Sequence, residues 1–233
     1  SGQYAVSDQV ELSGNAYFRQ NRVKTFNGDD SDFEACDDAG PNAGFLCAED
    51  DGEEERIADV FGNDILADDD VEGATNNTSF TGSRSRGGTL QANFGQDLFK
   101  HKNNLTTGVS YDYAEVNFSS DTELGSLTES RGTTQSGILV DEARVRLKTD
   151  TSSVGVFLTD SFSITDELTA TIAGRYNYIH INMKDQLGTE LNGSHTFERL
   201  NPSGGLTYRI LDNLTAYGSY SESTRAPTPM ELS

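Results

Sequence analysis

The sequence predicts an all-β chain, an antiparallel transmembrane β-barrel fragment of about seven to eight strands, with long loops at one end and short turns at the other. Three observations predict it. Apolar and polar residues alternate along several stretches, a turn-and-strand pattern recurs four times, and the connections are tight at one end of the strands and long at the other. Composition agrees. Of 233 residues 34% are hydrophobic and mean hydropathy is −0.57, and no apolar run approaches the roughly 20 residues of a transmembrane helix. Barrel strands escape that test, because lipid-facing and lumen-facing residues alternate and average out as polar.

The repeat sets the element order. "SDQVELSGNAY" from Ser7, "KNNLTTGVSY" from Lys102, "TDELTATIAGRY" from Thr165 and "LDNLTAYGSY" from Leu211 each run from a polar turn through an apolar residue and a Thr or Ser to Gly and Tyr. Each reads as a strand leaving a tight turn. The strands expected before these turns end near Tyr4–Val6, or cover Thr89–Phe94, Val154–Ile164 and Leu206–Ile210. Tight connections then fall at Ser7-Asp8, Gln96–Asn103, Thr165–Glu167 and Leu211–Asn213, and long ones at Asn27–Ser83, Ser120–Ser152 and Asp185–Ser194. Outer-membrane barrels have this asymmetry, with short periplasmic turns and long extracellular loops.

Alternation assigns the faces. After Glu167, Leu168, Ala170, Ile172, Gly174, Tyr176 and Tyr178 share one face, and Thr169, Thr171, Ala173, Arg175 and Asn177 the other. An Arg on the second face suits a wet lumen. The eight steps from Leu168 to Tyr176, at about 3.3 Å each and a tilt near 40°, rise roughly 20 Å. Tyr176 and Tyr178 therefore belong near the top of an apolar band about 25 Å tall, and Tyr208 near its lower rim.

The net charge of −21 is concentrated between Asp29 and Glu72, where 18 Asp and Glu face one basic residue, Arg56. Such acidity excludes nucleic acid, whose phosphates need Lys and Arg. Cys36 and Cys47 lie in this segment with ten residues between them, Gly40, Pro41 and Gly44 included, and suggest a local disulfide formed in an oxidising compartment. Closing that loop would contribute about 3 kcal/mol on a chain-entropy model. "ADDDVEG", with Asp68, Asp69, Asp70 and Glu72, and "AEDDGEEE" from Ala48 offer hard oxygen ligands for Ca²⁺. Neither has calcium-loop spacing, and the competing reading is a solvated, self-repelling surface loop.

Arg131, Arg144 and Arg146, with Arg84, Arg86 and Lys148, flank the long loops. They suit a ferric or phosphate-bearing ligand, or else pair with lipopolysaccharide phosphates or with Asp and Glu. His101 falls on a turn, whereas His180 and His195 flank one loop as candidate metal or haem contacts. No catalytic or phosphate-loop motif appears. His180, Asp185 and Ser194 form the only grouping for an outer-membrane barrel hydrolase, and a soluble carbohydrate-binding or adhesive β-sandwich would use the same alternation.

"SFSITDELTATIAGRYNY" and "LNPSGGLTYRILDNLTAYGSYSESTRAPTPMEL" resemble the barrel of TonB-dependent outer-membrane receptors. In that family a strand ends in a Ser-rich stretch and an Arg-Ala-Pro sequence, matched by Ser219–Pro227, with Thr224 where the family usually has an aromatic. The resemblance implies a barrel of about 22 strands, closed by an N-terminal plug, that imports a scarce ligand such as a ferric siderophore, haem or cobalamin. It implies no enzyme activity, and a Gram-negative outer membrane with its lipid and lipopolysaccharide as surroundings. Residues 1–233 are expected to be an internal part of that barrel, with an acidic extracellular loop at about 28–83. The plug and the TonB-contacting box are expected outside these residues.

Overall fold

A computed structural model describes residues 1–36, 40–50 and 53–232. The strands are β1 (Gly2–Ser7), β2 (Val10–Asp30), β3 (Glu34–Ala35), β4 (Leu46–Asp50), β5 (Glu53–Arg56), β6 (Ala74–Leu98), β7 (His101–Gly125), β8 (Val145–Ser163), β9 (Leu168–Asp185), β10 (Gly193–Leu211) and β11 (Leu214–Ser221). A single 3₁₀ turn follows at Pro229–Glu231, and no α-helix occurs among the described residues. Eight strands form one antiparallel sheet in the order β1-β2-β6-β7-β8-β9-β10-β11, with β3, β4 and β5 as a small separate sheet. Each large strand pairs with its neighbour in sequence once β3–β5 are set aside. This is an up-and-down meander, and it overturns the sandwich alternative, whose Greek key returns a strand to lie beside the first. The sheet is open, with β1 and β11 as its edges.

Register separates the faces. Gly14, Leu90, Val109, Val156, Tyr176 and Leu200 form one row across six strands. On the next row, pointing the other way, lie Asn15, Thr89, Ser110, Gly155, Asn177 and Arg199. Exposed apolar side chains dominate the first face from Leu12 to Leu214. Tyr176 and Tyr178 stand on it as alternation predicts. Packing contributes little to holding such a sheet. The ladder hydrogen bonds do, because in lipid every backbone polar group must be satisfied within the wall.

The strands are longer than the sequence suggested. β6 and β7 each have 25 residues, whereas about 9–11 suffice to cross a bilayer. Thr75–Ser83, expected within the first long loop, is ladder from end to end, and Asp30 pairs with Ala74. That connection is therefore 31–73 rather than 28–83, and the others shorten to 126–144 and 186–192. Above the bilayer both faces are wet, so selection for alternation lapses while the ladder continues.

The acidic connection is folded. Leu46, Ile57, Ile65 and Val71 from it are buried with Leu124 and Val140, and Phe33, Ala48, Ala67, Ile138 and Ala143 pack around them. The 126–144 loop closes this core from the other side. Asp68, Asp69 and Asp70 stay exposed, as in a solvated surface loop, yet the segment is folded because its few apolar residues converge.

Candidate functional site

Two long side chains on the lumen face reach past their neighbouring strand. Tyr17 on β2 donates its hydroxyl proton to Asp112 Oδ1 on β7 at 2.7 Å, passing over Gly87 on β6. Arg175 on β9 donates to Ser110 Oγ on β7 at 2.8 Å, passing over Gly155 on β8. In each case the glycine makes the space: a Cβ at Gly87 would overlap Asp112 Oδ1 and come within 2.8 Å of Tyr17 Cε1, and one at Gly155 would overlap Arg175 Nη2. Arg175 also donates to Asn177 Oδ1 at 2.7 Å and sits 5.6 Å from the Phe157 ring centroid. Arg19 and Arg199 share this face by register.

Higher on the same face the wall becomes apolar. Leu147, Ile181 and Met183 are buried beneath Ala226 and Leu232 of the segment that follows β11. Arg225 grips Glu231 through two bonds, at 2.7 and 2.8 Å, and the Thr228 N–H donates to Glu231 Oε2 at 2.6 Å. These donors, Arg225 foremost, hold the Glu231 carboxyl at about 2. The Arg-Ala-Pro sequence thereby gains a physical role: its Arg and Ala fold the tail back onto the wall.

In the acidic head, Cys36 and Cys47 form a buried disulfide. Arg56, the only base, donates to Asn42 Oδ1 at 2.8 Å, Asp64 Oδ2 at 2.7 Å and the Pro41 carbonyl at 2.9 Å, and lies 4.5 Å from the Phe45 ring centroid. Between this unit and the 126–144 loop lies a cleft of about 630 Å³, lined by Asp59, Asp64, Asp68, Asp70, Thr134 and Gln135 among others. Hydrogen bonds from Asn63, then from Phe61 and Gly62, hold the Asp59 carboxyl below its usual range.

The residues singled out in the sequence are not gathered into one site. Asp68 Oδ1 accepts the Asp70 N–H at 3.1 Å in a tight turn. Among the described residues no group of three or more His, Cys, Asp and Glu is placed to hold a metal ion. Arg131 sits exposed in the 126–144 loop with φ 64°. Arg144 pairs with Asp141 at 3.0 Å, and Arg146 clamps Asp121 at 2.5 and 2.7 Å. By register Arg146 and Lys148 share the outer face with His180, pointing away from the lumen.

His180 lies opposite Thr196, and His195 opposite Ile181, one residue on. The two imidazoles are therefore on opposite faces and cannot share a metal. His180 Nδ1 is 3.1 Å from Thr196 Oγ1, and His195 stacks on Phe197. Asp185, on the other face from His180, accepts the Leu187 N–H at 2.9 Å. The hydrolase grouping is thus not assembled. Sequence reading placed Arg175 on the wet face but missed Arg19, Arg199 and both bridges. Alternation along 10–30 would have exposed Arg19; the bridges depend on register, which the sequence does not display.

An open meander with a continuous apolar outer face and a hydrogen-bonded polar inner face is the wall of a transmembrane β-barrel. More particularly, the chain belongs to the TonB-dependent receptor-like β-barrel family, whose pattern it matches from residue 2 to residue 233. That family consists of Gram-negative outer-membrane transport receptors that interact with TonB. No curated protein is significantly similar to the chain in sequence.

Among solved structures, the open form of the ferric-catecholate import receptor Fiu from E. coli K12 is similar in fold, with a TM-score of 0.63 at 10% identity, over 97% of this chain and 35% of that one. The chain thus spans about a third of that receptor's length. FpvAI in complex with pyocin S2 (TM-score 0.46, 18% identity, 91% of this chain and 25% of that one) is also matched. So is the alcaligin outer-membrane receptor FauA from Bordetella pertussis (0.33, 12%, 94% and 33%). Neither of these two scores carries a structural argument.

Proposed function

We propose that this chain forms eight consecutive strands of the barrel wall, and part of the outer vestibule, of a receptor that takes up a ferric siderophore with energy delivered through TonB. The family match along the whole chain carries the reading. The wall supplies part of a rigid boundary, and the lumen-face cations suit an anionic iron chelate in transit, Arg19 foremost, since Arg199 pairs with Glu222 at 3.4 Å and Arg175 is held by Ser110 and Asn177. The 31–73 head and the 126–144 loop stand at the extracellular mouth, where they select what enters.

The test is uptake of radiolabelled iron by cells expressing the receptor, with and without TonB, offered as catecholate or hydroxamate chelates, haem, or cobalamin labelled with cobalt. TonB-dependent accumulation from one iron chelate supports the reading. Accumulation only from haem or cobalamin replaces the cargo, and accumulation independent of TonB rejects the transport mechanism.

A further inference from the structure

We propose that a cleft on the outer face, between β2, β6 and β7, binds a phosphate of a lipid headgroup in the outer leaflet. The cleft has a volume of about 260 Å³ and is lined by Phe18, Arg84, Ser85, Arg86, Tyr113 and Glu115. Phe18, Arg86 and Tyr113 lie in one register row, with Arg84 and Glu115 two residues further from the turn ends of the strands. This row is on the apolar face, so the cleft opens toward lipid and away from the lumen.

Its height fits a headgroup. From Val10, at the turn end of β2, to Phe18 is eight residues, a rise of roughly 20 Å at about 3.3 Å per residue and a tilt near 40°. Phe18 and Tyr113 therefore end the apolar band, and Arg84 stands about 5 Å above them, where acyl chains give way to polar headgroups.

Its charge fits a phosphate. The guanidinium carbon of Arg86 lies 5.3 Å from the Tyr113 ring centroid, so the ring carries the fork itself while the residue as a whole stays exposed. Among the described residues neither Arg84 nor Arg86 has a carboxylate within ion-pair distance, and nor do Arg22 and Lys24 above them on the same face of β2. Glu115, the one acid of the cleft, is taken up by Lys148 at 3.0 Å and by the Asn117 amide at 3.4 Å. Two guanidinium groups with no carboxylate at ion-pair distance, Arg86 over the Tyr113 ring and Arg84 across from Glu115, give the bidentate donors that phosphate geometry favours. The aromatic floor gives the lipid's apolar part a wall.

The proposal rests on the barrel spanning the membrane and is indifferent to the cargo, so its failure leaves TonB-dependent uptake untouched. The test is native mass spectrometry of the delipidated receptor in non-ionic detergent, titrated with bisphosphorylated lipid A, with dephosphorylated lipid A, and with inorganic phosphate as competitor. The expected result is retention of the bisphosphorylated lipid, weakened about thirtyfold in R84Q/R86Q, at about fivefold for each cation near an anionic surface. Dephosphorylated lipid should bind wild type no better than the variant binds lipid A.

Equal retention by wild type and variant, or equal binding of the two lipids, overturns the proposal. So does displacement by inorganic phosphate at the lipid's own concentration, which would make the cleft a free-anion site. Should R84Q/R86Q not fold to a heat-modifiable barrel, salt decides on wild type. Lipid A retention that does not fall between about 0.05 and 0.5 M salt sinks the idea.

Discussion

Replacing Arg56 by Met should unlatch the acidic head while leaving the barrel wall intact. Arg56 makes three hydrogen bonds, to Asn42, Asp64 and Pro41, and lies over Phe45. Hydrogen bonds from a charged donor contribute about 1.5–3 kcal/mol each, and a cation over an aromatic ring about 0.5–1 kcal/mol. The Arg56 and Asp64 side chains are 31% and 45% exposed, so that pair is screened and contributes at most about 1 kcal/mol.

Methionine keeps the apolar contact with Phe45, and the side-chain entropy released in the variant offsets part of the loss. A net destabilisation of about 2–4 kcal/mol remains, since the other two bonds are lost and their acceptors return to water. Local opening then becomes roughly 30- to 900-fold more frequent. Hydrogen exchange followed by mass spectrometry on peptides spanning 41–66 measures this directly, with peptides from β8 and β9 as the internal reference. A change below about fivefold in 41–66 would refute the latch, and a comparable change in β8 and β9 would show that the head is not an independent unit.

Four further outcomes are expected. The two-residue turn between β6 and β7 holds Phe99 at φ 55° and Lys100 at φ 71°, so Lys100→Gly should stabilise the barrel by about 0.5–1 kcal/mol in a urea or thermal series read by heat-modifiable gel migration. Gly155→Ala should expel Arg175 from Ser110 and cost about 2 kcal/mol in the same assay, whereas Gly218→Ala, with no atom within 4 Å of its Cβ, should be tolerated. Asp160 lies on the apolar face between Leu105 and Ile172, its Oδ1 without a hydrogen-bond partner, and Asp160→Leu should raise stability by about 1 kcal/mol. Glu231 titrates at about 2 against an ordinary 4.5; its depressed value means that tail docking is fully supported above pH 4.5 and lost as pH falls through about 2. Protease cleavage within 222–232 should therefore stay slow near neutral pH in wild type and quicken there in Glu231→Gln.

Much of the wall was legible because bilayer physics writes itself into sequence. Where lipid touches one face, as from Leu168 to Tyr178, alternation and turn residues state the strand. Where water touches both, as from Thr75 to Ser83, nothing enforces alternation, and a ladder of Asn, Thr, Ser and Gly reads as loop. The Cys36–Cys47 pair was legible from spacing and composition together. The folded head was not, since Leu46, Ile57, Ile65 and Val71 meet Leu124 and Val140 only after distant strands align. His180 and His195 illustrate the reverse error: nearness in sequence suggested a shared ligand, and a one-residue offset in register puts them on opposite faces.

The unusual length of β6 and β7 also fixes how the acidic head communicates with its surroundings. Twelve residues of β7 separate Tyr113 from Gly125, a climb of about 30 Å at ordinary strand rise and tilt. The screening length in physiological salt is about 8 Å. The head therefore stands several screening lengths above the leaflet and is nearly insulated from its phosphates, although both are anionic. Its field is felt mainly by solutes arriving from the medium, as a charged antechamber whose influence on encounter rates should fade steeply with added salt.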